Sequence, residues 1–379
     1  MTETVLKNAR LVLEDETIHG SICFDETGIR SIDAGETAAD GLDCEGDYVI
    51  PGLVELHTDN VERHFLPRPT AYWPNHTAAV LAHDHEIAGA GITTVFDSLS
   101  VGDYDGNNSP RRELFGHMCD GIVNAMDAGL CKVEHRLHFR CELSDPYLLG
   151  TLEPLVEKHH VALASLMDHT PGQRQWRDTS ALKAFMKRTG LSDAEVEASL
   201  TARIARSNQH TPENWKAVLK LFEGRDVTLA THDDASVDDV NMGHAEGIKI
   251  SEFPCSLEAA QRANELGMTT IGGAPNIVRG GSHSGNVAIM DLARAGVLDA
   301  LSSDYVPGAL LQAVFILSRE LDLPLHETIK TVTVNNANMV GLTDRGVLAL
   351  GQRSDVVRVR DFNGTPIVRE VFAQGRRVC

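Results

Sequence analysis

The stretch that decides the fold reads Ile50-Pro51-Gly52-Leu53-Val54-Glu55-Leu56-His57-Thr58-Asp59. Apolar residues dominate it, as in a buried strand, and two side chains able to bind a metal ion follow at its end. Residues i and i+2 of a strand point to the same face, so His57 and Asp59 can contact one ion. Pro51 and Gly52 mark the start of a new element. The pattern predicts the first strand of a barrel whose mouth holds a metal ion.

Candidate strands and helices alternate after this stretch, which predicts parallel β/α units. The candidate strands end near Asp59, Ser98, Leu143, His169, Asp233, Phe253, Pro275 and Asp304. Helical patterns lie between several of them, at residues 78–90, 112–128, 194–207 and 257–266. Eight such strands are what a (β/α)8 TIM barrel requires, so the predicted fold class is α/β.

The two ends of the chain have a different pattern from the middle. Residues 1–50 and 345–379 contain short strand-like segments separated by turn residues, which predicts one composite β-sandwich module made from both ends. Two unrelated decorations are the alternative. Residues 51–344 are assigned to the barrel, and the charged insertion at residues 172–223 is predicted to carry two helices.

Composition excludes several classes of protein. The 379 residues carry 34 Lys and Arg against 54 Asp and Glu, a net charge of -20, which argues against nucleic-acid and anionic-membrane partners. The seven cysteines form no C-x-x-C pair, as expected for reduced cytoplasmic thiols. No signal-peptide pattern or membrane-spanning apolar run is evident, so the predicted location is the cytoplasm.

Metal-capable side chains follow five of the candidate strands. The chemistry of a TIM barrel lies at the carboxyl ends of its strands, so these side chains are expected to meet at one mouth. Imidazole and carboxylate ligands suit one or two divalent ions, with Zn²⁺ as the first choice and Mn²⁺ or Fe²⁺ as alternatives. The predicted ligands are His57, Asp59, Glu142, His169, His232 and Asp304.

Two of these carboxylates have a further predicted role. Glu142 could bridge two ions through its two oxygens, and Asp304 is the predicted catalytic residue, which takes a proton from the attacking water. Each ligand alone has an ordinary structural explanation, such as a packed histidine or a helix cap. Their convergence favours the metal site. His83 and His85 are interpreted as structural, and the pairs Asp233-Asp234 and Asp238-Asp239 as solvated acids or caps.

The ligand pattern resembles the amidohydrolase superfamily. The matching positions are Pro51-Gly52, His57, Glu142, His169, His232 and Asp304. Two features depart from the usual pattern: Asp59 replaces a second histidine, and no lysine ends the third or fourth strand, which excludes a carboxylated-lysine bridge. The resemblance implies a metal-dependent hydrolase barrel with a small β module.

Three longer strings resemble the triphosphate diphosphatase family of the bacterial carbon–phosphorus lyase pathway. They are residues 55–69 (ELHTDNVERHFLPRP), 168–175 (DHTPGQRQ) and 279–286 (RGGSHSGN). This resemblance covers essentially the whole chain. It implies hydrolysis of α-D-ribose 1-methylphosphonate 5-triphosphate to the 5-phosphate and pyrophosphate during phosphonate breakdown.

Such a small, anionic, phosphorylated sugar requires local positive charge in an acidic protein. Arginine forks match phosphate oxygens, and glycines let backbone N–H groups approach them closely. The predicted substrate-binding residues are Arg63, His64, Arg68, Arg174, Arg279, Gly281, Ser282 and His283.

Two other functions remain open from the sequence. An amidohydrolase acting on a cyclic amide or N-acyl substrate could use the same activated water, because fold does not fix substrate. A non-catalytic scaffold barrel is the second, although the intact ligand set argues against it. A homodimer is possible, and the sequence does not determine the oligomeric state.

Overall fold

The computed structural model describes residues 3–68, 71–102, 110–188, 190–282 and 285–379. The strands of these ranges are β1 (Thr4–Val12), β2 (Thr17–Asp25), β3 (Gly28–Ala34), β4 (Leu42–Asp43), β5 (Tyr48–Pro51), β6 (Leu53–Thr58), β7 (Ile92–Val101), β8 (Glu134–Glu142), β9 (Val161–Met167), β10 (Thr228–His232), β11 (Ile250–Glu252), β12 (Thr269–Gly273), β13 (Ala300–Ser302), β14 (Val356–Phe362), β15 (Thr365–Ala373) and β16 (Arg376–Arg377).

Helices connect most of these strands. They are α1 (Glu62–Phe65), α2 (His76–Gly89), α3 (Pro110–Asp127), α4 (Leu148–Lys158), α5 (Thr179–Arg188), α6 (Asp193–Phe222), α7 (Val237–Ala245), α8 (Leu257–Glu265), α9 (Ala274–Arg279), α10 (Ile289–Arg294), α11 (Ala309–Glu320), α12 (Leu325–Thr328) and α13 (Val334–Met339). Short 3-10 helices lie at Arg174–Trp176 and Ile329–Val332.

The eight strands β6 to β13 pair in chain order, and every pair is parallel. A parallel bridge between Thr58 and Asp304 joins the first of these strands to the end of the last, which closes the barrel. Strand β7 is buried along its whole length, as expected for a parallel strand covered on both faces. The predicted (β/α)8 barrel is therefore confirmed.

The chain ends form a second sheet of eight strands, in the order β16-β15-β14-β5-β1-β2-β3 with β4 beside β1. Strand β5 pairs antiparallel with β14, and the chain then enters the barrel at once through Gly52. A Cβ added to Gly52 would lie 2.2 Å from Thr93 Oγ1 and 2.9 Å from Asp355 Cβ. Only glycine fits at this passage between the two sheets, which explains the Pro51-Gly52 pair.

The predicted elements can be compared directly with those observed. Each predicted barrel strand ends within three residues of its observed end. The insertion at residues 172–223 carries two helices, α5 and α6, as predicted. A Ser192–Glu195 capping box starts helix α6. The helix runs on to Phe222 instead of stopping near residue 207, because its buried apolar stripe continues through Trp215, Val218 and Phe222.

The apolar core is arranged in layers around the barrel. The outward side chains of β8, such as Phe139 and Cys141, join the helices in one large cluster. A smaller cluster that includes Phe96, Leu163 and Ile271 contains side chains from the barrel strands. None of the helices in the described ranges combines the length and hydropathy that crossing a bilayer requires.

Candidate metal centre and active site

His57 lies at the carboxyl end of β6 and is fully buried. Its Nδ1 lies 3.1 Å from Oε1 of Glu252, the last residue of β11. Ser165 donates to the other carboxylate oxygen of Glu252 at 2.5 Å, which fixes the carboxylate. A carboxylate that accepts from one ring nitrogen leaves the lone pair of the other nitrogen available to a metal ion. Glu252 therefore fixes the ring orientation of His57, a predicted ligand.

Glu142 and His169 meet at the ends of the next two strands that carry predicted ligands. His169 Nδ1 lies 2.9 Å from Glu142 Oε2, and Ser144 donates to the other oxygen at 2.6 Å. Burial raises the pKa of Glu142, but the hydrogen bond and charge of His169 outweigh it and lower the pKa overall. Glu142 is thus a buried carboxylate in its ionised form.

His232 ends β10 and lies between the other two histidines. Its ring centroid is 5.5 Å from that of His57 and 5.6 Å from that of His169. His57, His232 and Glu252 offer ligand atoms that lie within 4.8 Å of one another, and so do His169, His232 and Asp233. The structure therefore brings the three predicted histidine ligands together at one mouth of the barrel.

These residues fit a divalent cation. Burial, and next the Arg140 guanidinium, hold the pKa of His57 well below its ordinary value, so its ring is neutral and can donate a lone pair. Within the described ranges, His57 Nε2 and both ring nitrogens of His232 are buried without a hydrogen-bond partner. His232 Nδ1 does lie 2.9 Å from Asp233 Oδ2, but not in hydrogen-bond geometry. A cation would satisfy such atoms, whose burial is otherwise costly.

Asp59 and Asp304 stand beside this histidine group. The backbone joins them: Asp59 N donates to Asp304 O at 3.0 Å, and Asp304 N donates to His57 O at 3.1 Å. Burial, and next the Asp59 carboxylate, raise the pKa of Asp304 to about 7. A bound cation would lower that pKa again, because positive charge favours the carboxylate. Neither carboxylate lies within the two 4.8 Å ligand groups.

Three residues that follow barrel strands adopt left-handed backbone conformations, which are strained for residues other than glycine. They are Asp233, Phe253 and Asp304, with φ angles of 57°, 53° and 56°. Such strain costs about 1–3 kcal/mol per residue and concentrates at functional sites. Its repetition at the ends of β10, β11 and β13 shows that the mouth is shaped by local backbone turns.

Arg63 and His64 lie in α1, directly after the first barrel strand. Both contact Glu86 of α2: Arg63 Nη2 with Oε1, and His64 Nε2 with Oε2 at 3.1 Å. Arg68 is exposed, and its backbone forms a bridge with Ala71. The contacts of Arg63 and His64 are therefore with the helix layer, and their role in substrate binding stays a prediction.

Arg174 departs from its prediction as a substrate contact. Its side chain is only 6% exposed, and Nη1 donates to the backbone carbonyl of His232 at 2.7 Å and to Asp234 Oδ1 at 2.9 Å. A guanidinium held in this way has little surface to offer a ligand. Arg174 instead fixes the end of β10, which carries the predicted ligand His232.

The loop that follows β12 and α9 holds the remaining predicted phosphate contacts. Arg279 is exposed at the end of α9, and Gly280 ends that helix with a φ of 79°. The Ser282 hydroxyl accepts from the backbone N–H of Asn286 at 3.2 Å. Gly281 lies beside it, whereas His283 lies outside the described residues. The contacts of this loop with a ligand stay predictions.

The interpretation of Asp233 and Asp234 as solvated acids or caps is wrong. Asp233 is 5% exposed and lies 3.5 Å from His169 Nε2, within reach of two ligands. Asp234 is fully buried and accepts from Ser251 as well as Arg174. An Asp-Asp pair after a strand looks the same in the sequence whether its side chains are solvated, cap a helix or are buried beside predicted ligands. Glu252, like Asp233, was also missed, because it ends a strand of only three residues.

A second group of His and Asp side chains lies between α2 and the barrel wall. His83, Asp97 and His135 offer atoms within 4.8 Å of one another. Their ring nitrogens are already used: His83 contacts Asn60 and Asp97, and His135 contacts Asp97 and Asp84. This cluster is a closed hydrogen-bonded network, in agreement with the structural interpretation of His83.

Solved structures of several enzymes share the fold of this chain. The 5-methylcytosine deaminase from Klebsiella pneumoniae superposes with a TM-score of 0.64 at 14% identity, covering 99% of this chain and 97% of that one. The N-isopropylammelide isopropylaminohydrolase from Burkholderia multivorans gives 0.62 at 18% identity, covering 100% and 98%. At these identities the likeness shows the fold alone.

Comparison with curated proteins shows the family to which this chain belongs. The chain is 39% identical over 379 residues to the alpha-D-ribose 1-methylphosphonate 5-triphosphate diphosphatase of Escherichia coli (strain K12), covering 99% of this chain and 100% of the relative. An adenine deaminase 2 from Agrobacterium fabrum is 25% identical over 353 residues, covering 90% of this chain and half of the relative. No family model matches. The chain belongs to the alpha-D-ribose 1-methylphosphonate 5-triphosphate diphosphatase family.

Proposed function

We propose that the protein hydrolyses α-D-ribose 1-methylphosphonate 5-triphosphate to the 5-phosphate and pyrophosphate, as a step of phosphonate breakdown. The observation that carries the proposal is the full-length relative of that activity at 39% identity. The convergence of His57, His169 and His232 on one barrel mouth supports it, because a hydrolase of this fold works there. The predicted cytoplasmic location and the possible homodimer remain predictions.

Divalent cation binding at this mouth is part of the proposal. His57, His169 and His232 would hold the ion with Glu142 and Asp233, and Asp59 and Asp304 stand beside them. Nitrogen and oxygen donors of this kind suit Zn²⁺ first, with Mn²⁺ or Fe²⁺ as alternatives. When bound, the ion lowers the pKa of a water molecule to about 7 and polarises a phosphoryl oxygen.

Asp304 acts as the general base in this scheme. A new bond forms between the water oxygen and the α- or β-phosphorus, and the anhydride P–O bond between these two phosphorus atoms breaks. Its electron pair leaves on pyrophosphate after attack at the α-phosphorus and on the ribose 5-phosphate after attack at the β-phosphorus. Asp304 accepts the proton that the water loses.

Positive charge at the rim completes the proposed site. Arg279, Gly281, Ser282 and His283 follow the seventh barrel strand, where phosphate sites of TIM barrels are common. Arg63, His64 and Arg68 follow the first strand and are proposed to contact the substrate, Arg63 and His64 after release from Glu86. Arg174 is proposed only to position His232.

The reaction can be tested with the purified protein by ³¹P NMR in ¹⁸O-labelled water. We expect pyrophosphate and the ribose 5-phosphate product in equal amounts, with ¹⁸O in one of them to mark the phosphorus attacked. A hydantoin and an N-acyl amino acid are assayed in parallel. Hydrolysis of either amide without triphosphate hydrolysis would replace the proposal by the amidohydrolase alternative. Turnover of neither class by protein with bound metal would favour a non-catalytic scaffold.

A further inference from the structure

Strand β8 presents three polar side chains to the interior of the barrel. His138, Arg140 and Glu142 are spaced i, i+2 and i+4, so they share one face. His138 confirms the direction, since it lies 2.5 Å from Ser165 and 2.8 Å from the carbonyl of Leu56. The intervening side chains, which include Phe139, pack outward against the helices. Arg140 therefore lies inside the barrel, one layer below Glu142.

The guanidinium of Arg140 reaches the mouth of the barrel. Its Nη1 lies 3.5 Å from Asp59 Oδ2, and its side chain keeps 13% of its surface exposed. The backbone N–H of Asp59 donates to the carbonyl of Asp304, so the guanidinium stands beside the segment that joins these two predicted ligands.

Arg174, the other arginine near the centre, has less exposed surface than Arg140. Arg174 donates to Asp234 and to a backbone carbonyl and is 6% exposed, whereas Arg140 keeps twice that exposure and pairs with a half-buried carboxylate, Asp59, that is 26% exposed. The carboxylates of Asp59, Glu142, Asp233 and Asp304 would repel a phosphate chain. A guanidinium beside them offers the planar fork that phosphoryl oxygens fit.

We propose that Arg140 binds the phosphoryl group under attack and thereby makes the site selective for phosphoric anhydrides over neutral amides. Asp59 is its positioning partner. The inference rests on the proposed triphosphate hydrolysis and adds Arg140 to the phosphate-binding residues predicted from the sequence. In the reaction, Arg140 stabilises the negative charge that accumulates on the phosphoryl oxygens while the anhydride bond breaks.

The test compares Arg140→Gln and Arg140→Lys with the wild-type protein, and uses Arg136→Gln as a matched control. Arg136 lies on the same strand and the same face, four residues earlier, and pairs with Glu134 at 2.7 Å. Inorganic pyrophosphate is titrated into zinc-loaded protein by calorimetry. Zinc content is measured by elemental analysis, and KM and kcat are measured with the triphosphate.

The expected loss of pyrophosphate affinity for Arg140→Gln is about 10- to 100-fold, the usual effect of removing a charged hydrogen bond. The zinc content of Arg140→Gln stays at the wild-type level, and its kcat/KM falls together with its pyrophosphate affinity. Arg140→Lys recovers part of the affinity and part of kcat/KM. Arg136→Gln changes affinity by less than about 3-fold. Unchanged pyrophosphate affinity in Arg140→Gln, or loss of zinc from that variant, would overturn the inference.

The same data separate this inference from the proposed function. Arg140-dependent pyrophosphate binding without release of pyrophosphate from the triphosphate would remove the proposed reaction and retain Arg140 as a phosphate-binding residue. Triphosphate hydrolysis with an Arg140→Gln variant that equals the wild type in affinity and kcat/KM would retain the reaction and remove the role of Arg140.

Discussion

The orientation of a single ring, that of His57, sets what the barrel mouth can bind. Glu252 fixes Nδ1 at 3.1 Å, and Nε2 has no hydrogen-bond partner among the residues that the structure describes. Ser165 holds Glu252 in turn by donating to its carboxylate at 2.5 Å, and His138 Nε2 lies 2.5 Å from the Ser165 hydroxyl. A ligand oriented in this way loses little entropy when a cation binds.

Replacement of Glu252 by glutamine should therefore weaken metal binding without unfolding the protein. We expect a zinc affinity about 10- to 100-fold lower, the usual effect of losing a carboxylate behind a histidine ligand. Competition with a chromophoric chelator measures the affinity. The exposed Glu258 of the neighbouring helix α8 supplies the control variant Glu258→Gln. Equal zinc affinity of Glu252→Gln and the wild type would contradict the assigned role.

Asp304→Asn should remove the proton acceptor and leave the fold intact. We expect kcat to fall by about 100- to 10,000-fold, the range of general-base contributions. The left-handed backbone at this position tolerates asparagine well, so denaturant melts should match those of the wild type. Near-normal kcat in this variant, measured by pyrophosphate release, would assign the proton transfer to another group.

Among the secondary-structure elements, helix α2 is held to the barrel by buried ion pairs and hydrogen bonds of His83 and Asp84. His83 lies 2.7 Å from Asp97 Oδ1 of β7, and His135 of β8 lies 2.8 Å from Asp97 Oδ2. Asp84 of the helix accepts from the backbone N–H groups of Lys132 and Val133. Burial opposes charge on these groups, but the Asp97 and Asp84 carboxylates raise the pKa of His135 to about 9.

This raised pKa predicts a pH dependence of stability. The protonated ring of His135 stabilises the folded protein fully below its unfolded pKa of about 6.5. That contribution is lost as pH rises from about 6.5 through 9, where the folded protein also releases the proton. The loss is on the order of 2–3 kcal/mol.

Denaturant melts at pH 6, 7.5 and 9 measure this contribution. The free energy of unfolding of the wild type should fall relative to His135→Gln as pH rises, because glutamine cannot titrate. A matched series with His85→Gln, an exposed neighbour on α2, controls for general effects of histidine loss. A constant difference between the wild type and His135→Gln across this range would exclude a protonated His135.

At the scale of the whole molecule, one carboxylate connects the barrel to the segment that returns to the terminal sheet. Glu134, at the start of β8, pairs with Arg345 at 2.7 Å and also contacts Arg353 and Arg136. Burial opposes its charge, but Arg345 and then Arg353 lower the pKa of Glu134 to about 2. Residues more than 200 positions apart thus share one ion-pair cluster.

Glu134→Gln should destabilise the protein by on the order of 3 kcal/mol, because it leaves buried arginines without their shared partner. The free energy of unfolding by urea measures the change. Glu153→Gln, at an exposed position of α4, is the control and should change stability by less than about 0.5 kcal/mol. A loss below 1 kcal/mol for Glu134→Gln would show that the cluster is not a connection between the two parts.

The barrel strands could be predicted from the sequence because the pattern that marks each strand lies within a few consecutive residues. A strand buried on both faces is a continuous apolar run, as in β7, and the polar residue that ends it marks the mouth. The roles of Asp233, Glu252 and Arg140 could not be predicted, because each depends on contacts between strands distant in the chain. Arg174 was assigned to the substrate because sequence does not show that Asp234 already pairs with it.

The proposed metal centre is tested by an anomalous difference map from crystals of the zinc-loaded protein, collected above and below the zinc absorption edge. We expect one or two peaks within bonding distance of His57, His169 and His232, at the mouth of the barrel. A peak at the His83, Asp97 and His135 network, or no peak near the three mouth histidines, would contradict it.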